Sequence, residues 1–369
     1  MLSKQNTARN DEKLPRSFFV LFGIALFSLI LYLVAVFSPA FADWFNQTIA
    51  AFLRAVLAHL TSWIPFSLAE ILLFCIPLMI VLIAVYAYRC RCESWKSVFV
   101  FIGSLLSVFS LFFTLFVFSF GVGYHTHTLD ERLSLETGEV SVEELYLTAR
   151  ALALQVNTAA DGVEFGKDGF SRMPYDRNAM NEKLLVAYDK LSDEYSFIQR
   201  LNSRIKPVLA SKLMSYTHIT GVYSYFTGEA NLNVAFPDYT LPYTAAHELA
   251  HQRGFARENE ANFIAFLVAE RSDDPYIRYS GYLNLFEYVF NALAYADTTL
   301  AESVRDILSP EVYGELLAYS DFFDQYRDSA AADLSDAVND TYLKLHGNRA
   351  GTGSYGLVVD LAVAYYQTK

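Results

Sequence analysis

A chain of 369 residues, 53% apolar and only 18% charged, is too long for one small domain and too hydrophobic to be soluble throughout. Its formal charge of −12 is unevenly placed: residues 1–122 hold eight basic and five acidic side chains, so the remaining 20 basic and 35 acidic residues give the rest a charge near −15. That sign argues against nucleic acid as a partner, because phosphate binding needs a basic surface, and against a basic face lying on anionic lipid.

In chain order, Lys4, Arg9, Lys13 and Arg16 precede an uncharged apolar stretch over residues 18–37. Twenty such residues cross a hydrocarbon core of roughly 30 Å at about 1.5 Å per residue. The stretch lacks a small-residue cleavage site and reads as an uncleaved signal anchor. A second span is predicted over residues 66–88, with Glu70 near its start and Pro77 as a kink, and a third over residues 98–120. Between the first two, over residues 44–63, Phe45, Ile49, Phe52, Leu53, Val56, Leu57 and Leu60 share one helical face, with Arg54 opposite and Trp44 and Trp63 near the ends. This pattern suits a helix lying in the membrane interface or packed against the other spans. Cys75, Cys90 and Cys92 all fall in this part and read as unmodified thiols.

Basic residues favour the cytoplasmic side. Those before the first span, with Arg89, Arg91 and Lys96 between the second and third, place the N-terminus inside. The chain then divides into a membrane anchor, residues 1–122, and an extracytoplasmic domain, residues 123–369.

The outer domain is predicted to be mainly helical. Ser141 and Glu144 have capping-box spacing, and Leu145, Ala149, Leu152 and Val156 follow at helical intervals. Helices are expected over residues 181–201 and 203–216, and again from Tyr243 onward, with breaks at Gly254, Asp273-Asp274-Pro275, Ser309-Pro310 and residues 347–353. Residues 219–226 and 231–236 flank a Thr227-Gly228 turn and read as a small β-hairpin.

The chemistry concentrates just after that hairpin, in His247-Glu248-Leu249-Ala250-His251. Histidines four apart on a helix project from one face and reach one zinc ion at about 2.0–2.1 Å. The glutamate between them is free to face a water on the metal. Thr240 is a candidate cap for this helix, with Pro242 in its first turn. Gly254 follows where the helix must end if a third ligand is to return, and Glu258-Asn259-Glu260-Ala261-Asn262 opens the next helix. Roughly one chain in a hundred of this length carries such a histidine pair by chance, so its setting matters.

That second segment resembles the Glu-x-x-Ala-Asp signature of zinc peptidases with a glutamate as third ligand. The resemblance implies that Glu258 is the ligand, with Glu260 as the rival. It places Asn262 where an aspartate orients a histidine ligand; the amide oxygen still accepts from an imidazole N–H but makes that ligand less basic. The run from Thr227-Gly228-Glu229-Ala230-Asn231 to Ala265 more closely resembles a bacterial family, domain-of-unknown-function family 3810. Its members carry N-terminal spans and a peptidase-like domain. The resemblance covers most of the chain and implies location in a bacterial cell membrane, with zinc.

The function expected is a membrane-anchored zinc metallopeptidase with a helical, zincin-like outer domain, acting on a peptide or protein at the bilayer surface. His247, His251 and Glu258 would hold Zn2+, Glu248 would act as general base, and Tyr279 and Tyr282 are candidate donors to the oxyanion. An exposed strand of the hairpin would pair with extended substrate. The alternative is a zinc-binding sensor or assembly factor without catalysis.

Overall fold

The computed structural model describes residues 16–90, 95–345 and 356–369; Lys4, Arg9, Lys13, Arg91, Cys92 and the expected break at residues 347–353 lie outside them. The described part is mainly helical with two small sheets.

Helix α1, Arg16–Phe37, carries no charge after its first residue and leaves Phe19, Phe22 and Ile30 exposed on its flanks. Short α2, Pro39–Phe45, leads through a π-turn at Asn46–Ala50 into α3, Ala51–Ser62. The expected second span is broken: α4, Leu68–Phe74, and α5, Ile76–Cys90, meet at a 47° bend. Pro77 explains it, since a residue without N–H cannot continue the helical ladder back to Leu73. Helix α6, Trp95–Ser119, is apolar and packs along α1, where Ser28 Oγ donates to Thr114 Oγ1 at 3.2 Å. Among the described residues, two helices, α1 and α6, are thus long and apolar enough to cross a membrane, or three spans if the bent pair counts as one.

Arg54 departs most from expectation. The helical wheel sets it on the polar side of α3, yet it is 1% exposed. Its guanidinium donates to Asn46 Oδ1 and Asn46 O at 2.8 Å, to Ser119 O at 3.1 Å and to Arg253 O at 3.3 Å. A buried cation needs acceptors, and Asn46 with the carbonyls at the ends of α6 and the motif helix meets both terminal nitrogens, while Nε stays without a partner. The Arg54 face of residues 44–63 thus packs against the rest of the protein, while Trp44, Phe52, Leu60 and Trp63 stay exposed.

The C-terminal part begins with α7, Leu129–Leu133, and α8, Val142–Ala160. The Ser141–Glu144 capping box forms as expected, and Leu145, Ala149, Leu152 and Val156 are all buried, mostly against α13. Strands β1, Glu164–Phe165, and β2, Ser171–Arg172, make a two-residue ribbon before α9, Arg177–Glu194. Residues 203–216 are not one helix. They form strand β3, Ile205–Pro207, then the single turn α10, Ser211–Met214. Asn181 Oδ1 takes the Ile205 amide at 2.9 Å, and the Lys206 side chain is drawn inward to Glu229, which holds this segment extended.

The expected hairpin is present as β4, Gly221–Ser224, and β5, Glu229–Leu232, in antiparallel register with Tyr223 opposite Ala230. Strand β3 pairs parallel to β5 on its other side, giving the order β3-β5-β4. Helix α11, Thr240–Gln252, packs against β4 and β5, and α12, Glu258–Arg271, and α13, Pro275–Ala296, pack against α11 and each other. They are followed by α14, Thr298–Arg305, α15, Pro310–Arg327, α16, Ala330–Leu345, and α17, Gly356–Gln367. The core they share is built largely from α8, α11, α12 and α13.

The boundary at residue 122 is not a gap in packing. Lys206 and Glu229, 1% and 0% exposed, form a buried pair at 2.5 Å, and Lys206 Nζ also donates to Thr61 O at 2.8 Å. Glu229 accepts the amides of Leu68 and Ala69 at 3.2 and 2.9 Å, so a residue of β5 caps α4. Glu70 reciprocates by accepting the amides of Leu209 and Ala210 at 2.9 and 2.7 Å. A carboxylate inside the expected second span is therefore spent on the loop after β3.

A candidate metal centre

Helix α11 lacks the cap expected from Thr240, whose hydroxyl donates instead to Pro237 O at 2.8 Å. A residue distant in sequence does the work: Ser280 Oγ accepts from the Tyr243 amide at 3.1 Å and donates to Tyr239 O at 2.5 Å. The helix ends at Gly254, whose φ of +97° lies in the left-handed region. There is no room for a side chain there, because a β-carbon would fall 2.5 Å from Arg54 Nη2 and 2.8 Å from Asn46 Oδ1. Asn46 Nδ2 donates to Gly254 O at 3.1 Å, so the π-turn of the anchor grips the turn between α11 and α12.

That turn aims Glu258 back at α11. His247 Nε2 lies 3.3 Å from Glu258 Oε2, and His251 Nε2 lies 3.5 Å from Glu258 Oε1. One donor atom from each of the three residues lies within 4.8 Å of the others, and the two imidazoles are nearly perpendicular at 89°. Two donors each about 2.1 Å from a tetrahedral ion sit about 3.4 Å apart, so the spacing fits an ion of zinc's size. His251 Nδ1 is hydrogen-bonded to the Phe255 carbonyl at 2.7 Å, which as an acceptor fixes the N–H there and leaves Nε2 free as a ligand atom.

The electrostatics of the three groups are coupled. Burial works against the charged imidazole of His251, but the Glu258 carboxylate outweighs it and raises the pKa to about 9. Burial also opposes charge on Glu258, yet the two imidazoles hold it well below the usual carboxylate range. Glu248 is different. Burial pushes its carboxyl up to about 7 against the pull of His247 and His251, and the Tyr223 amide is a backbone donor to it. Its Oε2 is buried without a hydrogen-bond partner among the described residues, as is His247 Nδ1.

Other candidates fall elsewhere. Glu260 accepts from the Leu129 amide at 3.0 Å and from Arg257 Nη1 at 2.6 Å, so it anchors the start of α12 and does not face the histidines. Asn262 makes no hydrogen bond to either histidine; its Nδ2 is buried and unpartnered, and the orienting acceptor is the Phe255 carbonyl instead. Tyr279 is fully buried and donates to Glu315, while Tyr282 packs on Phe266 with ring centroids 5.9 Å apart. Neither tyrosine stands at the cluster, because α13 turns that face toward α8, α15 and α17. Of the two strands proposed for substrate, β5 is paired on both sides, and only β4 keeps an edge with no strand partner among the described residues.

Sequence reasoning missed Phe120, Gly221 and Phe255. The Phe120 ring, one residue past α6, lies edge-on to His251 at 5.8 Å and packs with Tyr223 and Tyr225. The cluster therefore sits against the end of α6, although more than a hundred residues separate them in sequence. No sequence signal marks Gly221 or Phe255; the lone Arg54 in an apolar helix was the available sign that α3 meets other backbone.

A protein-family model described as "Protein of unknown function (DUF3810)" matches residues 45–363. The chain belongs to that family, whose match begins at the end of α2 and takes in both the anchor contacts and the His/Glu cluster. No curated protein and no solved structure matches the chain.

Proposed function

We propose that this protein is a membrane-anchored, zinc-dependent peptidase that hydrolyses peptide bonds at the bilayer surface. The observation that carries the reading is the convergence of His247, His251 and Glu258, with Glu248 buried beside them. These residues would hold zinc in a zincin-like domain outside the cytoplasm. The bent α4–α5 pair would serve as one of three spans, and the basic N-terminal segment would keep that end inside.

Zinc, when bound, supplies Lewis-acid polarisation of the scissile carbonyl and lowers the pKa of water toward roughly 7. The protein's own residues do the rest. Glu248, with a carboxyl near neutrality, takes a proton from the attacking water and returns it to the leaving amine. Phe255 holds the His251 ring in one tautomer. The open edge of β4 offers backbone to an extended substrate, and Phe120 keeps the site next to the membrane.

A non-catalytic zinc protein is the second reading, favoured by the commitment of Tyr279 to Glu315 and of the Tyr223 amide to Glu248. The two separate in one experiment on the full chain in detergent. Metal content is measured for wild type, His247→Ala and Glu248→Gln, and each is incubated with a mixed peptide library. The peptidase reading expects about one zinc in wild type and Glu248→Gln, little in His247→Ala, and cleavage by wild type only. Zinc without cleavage supports the second reading, and no zinc in wild type rejects both.

A further inference from the structure

A polar cavity of about 140 Å³ lies behind the metal cluster, between the anchor and the outer domain. Its walls include Asn46, Gln47 and Arg54 from the anchor and Arg132, Gln199 and Arg253 from the outer part. At about 30 Å³ per water, the space holds several waters or one phosphate-sized group.

Three guanidiniums around one cavity is an unusual arrangement in a chain of net charge −12. Arg132 has a counter-ion, Asp43, which also pairs with His127. Arg54 and Arg253 have no ion pair among the described residues; Asp189 acts on Arg253 only through space, and the Tyr188 ring lies 3.8 Å from its guanidinium. Burial pulls both arginines down to about 10, so both stay cationic at neutral pH. Arg54, Arg132 and Arg253 each keep a buried Nε without a hydrogen-bond partner, and Gln199 Oε1 is a buried acceptor in the same condition. Unspent donors with an excess of positive charge select an anion, and a lone acceptor beside them selects a hydroxyl on that anion.

We propose that this cavity binds a phosphate group bearing a neighbouring hydroxyl, as in a phosphatidylglycerol headgroup or free hydrogen phosphate. The position favours the headgroup. Arg54 is bonded to Ser119 O, the last residue of α6, which sets the cavity at the level of a span end where basic pockets meet lipid phosphates. The bound group would sit against Arg253-Gly254-Phe255, apart from the metal ligands themselves.

The test uses the delipidated full chain in a neutral detergent, with the thermal midpoint as readout. Sodium phosphate is compared with sodium chloride at matched ionic strength, and micelles carrying phosphatidylglycerol with micelles carrying neutral diacylglycerol. A saturable rise with phosphatidylglycerol is expected. A rise with phosphate alone also supports the site but assigns it to a soluble ligand. Gln47→Glu places a carboxylate at an exposed wall position, leaves the core untouched, and should weaken the response about tenfold or more. The same response in wild type and Gln47→Glu, or none to either probe, overturns the proposal.

Discussion

Gly221 and Glu248 are in contact across the edge of the sheet: a β-carbon on Gly221 would fall 2.6 Å from Oε1 and 2.7 Å from Cγ of the glutamate. The position of the proposed base is therefore set by the backbone of β4 as much as by its own helix. Gly221→Ala should push Glu248 aside while leaving His247, His251 and Glu258 in place. The expected outcome is unchanged zinc content with peptide hydrolysis reduced about a hundredfold, the scale of an ångström-sized misplacement. Zinc analysis and cleavage assays on one preparation check it; equal activity in both proteins would show that Glu248 does not depend on this contact.

Gly254 should be the least replaceable glycine of the turn. Gly254→Ala meets both a positive φ and the Arg54 guanidinium, and should cost about 1–3 kcal/mol. Gly314, inside α15 with open space at its β-carbon, is the control: Gly314→Ala should stabilise by about 0.5–1 kcal/mol. Denaturant unfolding of the three proteins in detergent reads both signs.

Glu287 makes stability depend on pH. Burial, and then the charge of Glu315, push its carboxyl up to about 8 from 4.5. A folded-state value above the unfolded one means that its contribution is complete below about pH 4.5 and is lost as pH rises toward 8. Glu287→Gln keeps the neutral shape and should remove that decline, leaving the variant more stable than wild type at pH 8 by up to a few kcal/mol. Thermal midpoints across this range test the claim, and parallel curves would refute it.

Lys206 and Glu229 should be energetically inseparable. Glu229→Gln leaves a cation buried against carbonyls and removes the charge capping α4, at a cost of about 3–5 kcal/mol. Adding Lys206→Met to Glu229→Gln should recover part of that loss. A double-mutant cycle on unfolding free energies measures the coupling, and simple additivity would contradict it.

The sequence alone determined what periodicity and local chemistry can carry. Uninterrupted apolar runs specified α1 and α6, the Ser141–Glu144 spacing specified the start of α8, and the histidine pair one helical turn apart specified that both imidazoles leave α11 on one face. These features depend on residues close along the chain, so the pattern is the cause. Tertiary structure decided whatever depends on the partner. It drew residues 205–207 into a sheet and buried Arg54 in carbonyls from two distant helices. It also separated Glu258 from Glu260, two residues apart on one helix, by giving one a pair of imidazoles and the other an arginine and a backbone amide. A charged group goes where its desolvation is compensated, and only the folded chain shows where those compensating groups lie.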